Sequence, residues 1–245
     1  MDSNKRTSSN PIDPTRKTSL VAGILYLVTF VSSIPAVLLL APVLNNSNYI
    51  ISAGADFQVI CGISLDLVNA LAAIGTAVAL FWVVKRQNES FALGFVATRL
   101  VEGTTVIIGV VCILAVVTLR QTVGVGIDSA ALVAVGQGLV AVRNWTFTIG
   151  PSLMPALNAL LLGTLMYRSR LVPRLIPAVG LIGFPLQLSA AILTIFGINY
   201  TLWAGISVAP IFFWELSVGL WMTFKGFNRS APLMVKLRGE KENDS

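Results

Sequence analysis

Four charged side chains, Asp66, Arg99, Glu102 and Glu215, stand inside long apolar runs of this chain, together with the amides Asn69, Asn158 and Gln187. Carboxylates in such surroundings can take up protons or hold cations, a guanidinium can neutralise them, and amides can orient either. Other chemistry lacks its residues. The chain contains no His, so neither a Ser/His triad nor a His-ligated metal site can be built, and no metal or other cofactor is expected. Its 2 cysteines, Cys61 and Cys112, both approach the outer face of the membrane; a disulfide is geometrically conceivable, and buried free thiols are the default. Gly124 and Gly126 form an isolated GxG without the strand and helix that a phosphate cradle needs. Asp66 is the one aspartate inside an apolar run, so the two-aspartate pattern of intramembrane proteases is missing.

The elements that must position these residues follow from composition. With 55% hydrophobic and 11% charged residues over 245 positions, the chain departs widely from soluble domains, which are roughly one-quarter charged. Apolar runs at 20–40, 58–84, 92–119, 145–167, 175–196 and 202–224 each reach the roughly 20 residues that cross about 30 Å of hydrocarbon as a helix. The ten-residue alternation of barrel strands is absent. Lys5, Arg6, Arg16 and Lys17 precede the first run, which exceeds a signal-peptide core and is expected to remain as an uncleaved anchor. The stretch 129–142, with Gly136, Gln137 and Gly138, is too short for a seventh span and is expected to form an interfacial or half-buried helix. The fold class expected is therefore all-α: an integral membrane bundle of six transmembrane helices plus one short interfacial helix near 129–142. The membrane domain covers 18–225, between polar tails 1–17 and 226–245 that are expected to be disordered.

A net charge of +6 raises the question of a nucleic-acid partner, and the placement of the 17 Lys and Arg answers it. Fourteen fall in the tails and in the loops after the second and fourth runs; Arg120 and Arg143 fall on the other side, and Arg99 lies within a run. That asymmetry is the positive-inside rule, so both termini are expected in the cytoplasm and no nucleic acid is expected as a partner. The partners expected instead are the lipid bilayer and a membrane-protein partner or a homo-oligomer.

Within the runs the polar residues share faces. Gly62, Asp66, Asn69, Ala73 and Thr76 recur at helical spacing, as do Thr98, Glu102, Thr105, Gly109 and Cys112, and Gly180, Gly183, Gln187, Ala190 and Thr194. Rise per residue puts Asp66 and Gln187 in the outer third of the bilayer, Asn69 and Glu102 near its middle, and Arg99, Asn158 and Glu215 in the inner third. Arg99 thus has two acidic partners within reach, Glu102 three residues on and Glu215 at matching depth, and a structural ion pair is the first reading of this group. Asp66 has no cation close in sequence and is the better candidate for a protonatable or ion-contacting carboxylate. Pro35, Pro155, Pro185 and Pro210 each lie within a run and can kink it, for packing or to open a site.

The order of local motifs resembles a bacterial membrane family labelled domain of unknown function 4386. The resemblance runs from Arg16 to about Phe224 and rests on RKTSLVAGILYLVTFVSSIPA, on ALGFVATRLVEG with Arg99 and Glu102, and on YRSRLVPRLIPAVGLIG. It implies a multi-pass protein of a bacterial plasma (inner) membrane and brings no activity, substrate or catalytic residue with it. Members often carry a His- or Asp-bearing pair where this chain has Arg143 and Asn144 before Trp145, so no role is transferred to that spot. Three functions are consistent with these residues: a small-solute or ion transporter using Asp66, Asn69, Glu102, Asn158, Gln187 and Glu215 as a polar path; a non-enzymatic membrane partner or regulator whose buried charges are structural; and a lipid-modifying enzyme built on the carboxylates. The absence of catalytic motifs puts the enzyme last.

Overall fold

Lipid leaves an apolar chain few ways to satisfy its backbone, and in the computed structural model every long element is a helix. The structure describes residues 14–52, 54–122, 128–198 and 201–235. Among the described residues seven α-helices follow in order: α1 (Pro14–Leu44), α2 (Asp56–Val84), α3 (Glu89–Thr122), α4 (Ser129–Phe147), α5 (Met154–Ser169), α6 (Leu175–Ile195) and α7 (Thr201–Phe224). A 3₁₀ turn at Tyr49–Ile51 lies between α1 and α2, and a π-helical turn, Thr148–Leu153, joins α4 to α5. Among the described residues there is no strand, and six helical segments are long and apolar enough to cross a membrane. The protein is a multi-pass membrane protein.

The short helix expected near 129–142 is present as α4, but no break separates it from the next span. Helical backbone continues from Ser129 to Ser169, 41 residues, which at about 1.5 Å each is roughly 60 Å, twice the hydrocarbon thickness. The neighbouring α3, at 34 residues, is also longer than a crossing requires. Both therefore project beyond the hydrocarbon. Their surplus lies at the end opposite the Lys85, Arg86, Arg170 and Arg174 loops, where Asp56 accepts hydrogen bonds from Tyr49 Oη at 2.8 Å and Gln121 Nε2 at 2.9 Å and forms an ion pair with Arg120. Burial, and then the bond to Asp56, pushes the Tyr49 phenol above its ordinary range.

Neighbouring helices close a ring: α1 packs on α2 and α7, α3 on α2 and α5, and α6 on α5 and α7, while α4 leans on α3. The apolar core has two parts. One gathers Leu80, Phe95, Leu162, Trp214 and Met222 towards the basic end; the other gathers Leu40, Ile63, Val110 and Ile113 towards the opposite end. Along α2 and α3 the stretches between these parts carry the polar side chains Asp66, Asn69, Arg99 and Glu102.

Residues 226–235 do not form the polar tail expected of them. Gly226, at φ +80°, turns the chain back after α7. Asn228 N–H then donates to Leu171 O at 2.8 Å, and Phe227, Ala231, Leu233 and Met234 are buried in the basic-end core. The apolar residues scattered among 227–235 supply the driving force. At the other terminus α1 already begins at Pro14, and Arg16 donates to Met222 O at 2.9 Å and Thr223 O at 2.7 Å, capping the last carbonyls of α7. The remaining parts of the expected tails, 1–13 and 236–245, and the Gly124/Gly126 loop lie outside the described residues. Cys61 and Cys112 are free thiols.

Candidate functional site

Arg99 is 1% exposed and sits on α3 with Tyr26 and Phe95 around its guanidinium, the ring centroids 4.9 and 5.9 Å from Cζ. One of its terminal nitrogens donates to both oxygens of Glu102, at 3.2 and 3.1 Å; the other donates to Glu215 Oε1 on α7 at 2.6 Å. From α5, Asn158 Nδ2 donates to Glu102 Oε2 at 2.7 Å, and Thr98 Oγ1 donates to Asn158 Oδ1, which fixes the amide's orientation. Gly103, the residue after Glu102, lets α3 approach α2 closely: a Cβ there would lie 2.8 Å from Ile74 and 3.1 Å from the Ala70 carbonyl. The group thus draws side chains from α1, α3, α5 and α7. One guanidinium faces two carboxylates, so with both ionised the cluster holds one uncompensated negative charge in a setting where charge is costly.

Asp66 does have a cation. Arg143, expected outside any span, is 6% exposed on α4 and approaches Asp66 to 3.6 Å, an ion pair without hydrogen-bond geometry. Its guanidinium lies 4.6 Å from the Phe147 ring centroid, and its stem passes beside Gly109 of α3. Sequence reasoning missed it because α4 was read as separate from the span that follows. Read as one helix, Arg143, Phe147, Pro151 and Pro155 recur every four residues and would have marked a common inward face.

These groups surround a central cavity of about 240 Å³. Asp66, Asn69, Arg99, Glu102, Gln187 and Glu215 all contribute to its wall; Asn158, 2% exposed, stands behind Glu102. The three carboxylate side chains keep 12%, 11% and 14% exposure for Asp66, Glu102 and Glu215, and the cavity is the space they border. Phe30, Phe147 and Phe212 supply aromatic wall, with Phe30 and Phe212 edge to face at 5.1 Å. Gln187 Nε2 donates to Ser152 O in the π-helical turn at 2.8 Å, while its Oε1 is buried with no hydrogen-bond partner. The π turn itself, with Pro151 inside it, rests on α3 through Gly150, where a Cβ would collide with Thr105 Oγ1. A second cavity of about 320 Å³ lies at the opposite end from the basic loops, bordered by Asn45, Asn46, Gln137 and Asn144 and by no charged side chain.

The arrangement can bind or exchange a positive charge, and it can orient a small polar solute against amides. A family model described as Domain of unknown function (DUF4386) matches residues 21–226, from within α1 to the turn after α7. No curated protein and no solved structure matches the chain.

Proposed function

The chain belongs to the family Domain of unknown function (DUF4386), and from that premise we propose that it is a small-solute or ion transporter whose path runs through the central cavity. The observation that carries this reading is a cavity of about 240 Å³ lined from all six spans and bordered by three carboxylates and one guanidinium. Buried ionisable groups facing a cavity in a membrane bundle mark substrate or ion pathways, because lipid-facing ones are too costly to keep. The volume falls below the roughly 300–1,000 Å³ of pockets for drug-sized ligands, which points to a small solute. The basic end is assigned to the cytoplasm, with both termini there, and the membrane to the bacterial plasma membrane.

A second reading is supported by the bonding of Arg99. A guanidinium held by two carboxylates from two helices ties α3 to α7, as a structural ion pair would in a membrane partner or regulator. Purified protein in sealed vesicles separates the two readings. Transport requires uptake of at least one of labelled sodium, methylguanidinium, glycerol or acetate, with loss of uptake in Glu215→Gln. A panel without uptake, alongside a membrane protein that co-purifies at fixed ratio, would leave the partner reading.

A further inference from the structure

The cavity wall is unbalanced in charge and in hydrogen bonding. Counting the wall's Asp66, Glu102 and Glu215 against Arg99 in the wall and Arg143, which pairs with Asp66 from outside it, leaves one negative charge with all three carboxylates ionised. Of the residues in the same wall, Gln187, 5% exposed, has a buried acceptor oxygen with no donor, and Arg99 has a buried Nε donor with no acceptor. A bare metal ion would satisfy the charge but wants several oxygens drawn tightly round it. Among the described residues no group of three His, Cys, Asp or Glu is placed to hold one. A proton would satisfy the charge and needs no cavity. The space bordered by Phe30, Phe147 and Phe212 has the size for an organic body, and aromatic faces attract cations.

Resting on the transporter reading of this site, we propose that the central cavity takes a small organic cation bearing N–H donors. Its charge is set against the carboxylate that Arg99 leaves uncompensated, its N–H groups against the carboxylate oxygens that border the cavity, and its carbon against the phenylalanines.

The test uses the purified full chain at neutral pH and methylguanidinium, which is always charged and does not cross bilayers unaided. Calorimetric titration should show saturable binding of methylguanidinium, with sodium at equal ionic strength inert. Tetramethylammonium, which has charge but no N–H, should bind at least about tenfold more weakly, the usual loss of a charge-assisted hydrogen bond. Glu215→Gln, which leaves Arg99 and Glu102 as a neutral pair, should fold and lose about tenfold or more in affinity. Phe212→Leu, which alters no charge, should lose a smaller factor and keeps the test valid should Glu215→Gln misfold. Methylguanidinium indistinguishable from sodium, or affinity unchanged in both variants, overturns the proposal. Binding without uptake into vesicles leaves it standing and removes transport; uptake of glycerol or acetate that methylguanidinium does not inhibit removes it and leaves transport.

Discussion

Arg99 illustrates how the cost of a buried charge turns into structure. Its guanidinium is bonded by Glu102 and Glu215, and removing it would leave two carboxylates facing each other without a cation. Arg99→Gln is therefore expected to destabilise the protein by about 3–5 kcal/mol, the usual result of breaking a buried pair from one side. Glu215→Gln leaves one guanidinium with one carboxylate and should cost under about 1 kcal/mol. Chemical unfolding in detergent checks both, and equal losses in the two variants would sink the charge-balance account. The acids within reach of Arg99 were legible from spacing and depth, because the i, i+3 relation and the rise of a helix are local rules. Arg143 was not, since reading α4 as separate from the span that follows placed Arg143 outside the bundle, away from Asp66. Asp66→Asn and Arg143→Gln should each weaken the fold, and their double variant should lose less than the sum by about 0.5–3 kcal/mol; strict additivity would deny the contact.

At the scale of elements, the π-helical turn decides how the fourth crossing meets the rest. It carries Pro151, presents the Ser152 carbonyl to Gln187 of α6, and brings Gly150 against Thr105 and the Glu102 carbonyl of α3. A side chain at 150 has no room, and neither neighbour is the end of a long flexible group. Gly150→Ala should cost about 1–3 kcal/mol as overpacking, whereas Gly138→Ala, where a Cβ meets nothing within 4 Å, should be neutral or mildly stabilising. Melting curves of the two variants make the comparison; equal behaviour would mean the turn does not touch α3. The six crossings were readable because hydropathy over some 20 residues is a strong signal. The continuity of α4 with α5 was hidden because Arg143 and Asn144 interrupt the apolar sequence between 129–142 and the run at 145–167, whereas the helix passes through them and a widened turn at Thr148–Leu153 then absorbs the missing N–H of Pro151.

For the whole molecule, the two ends of the bundle are finished differently. The end opposite the basic loops is held by polar bonds around Asp56, whereas the basic end is held by Arg16 on the last carbonyls of α7 and by the returning segment 226–235. That segment was expected to be a disordered tail because its charge and short apolar stretches carry no periodic signal. Its burial depends on a surface, formed by Leu171, Val172 and Met222, that exists only once the spans have assembled. Hydrophobic docking of this kind is independent of the bilayer, so it should respond to loss of apolar area. Phe227, 7% exposed, is the largest side chain involved, and Phe227→Ala should cost about 3 kcal/mol. A chain ending after Lys225 should lose more, because it also uncovers the core beneath Ala231, Leu233 and Met234. Limited proteolysis from the basic side, read beside thermal unfolding, distinguishes a docked segment from a tail. A docked segment is cut slowly in the native chain and quickly in Phe227→Ala, while cutting at equal, rapid rates in both would show that 226–235 hangs free.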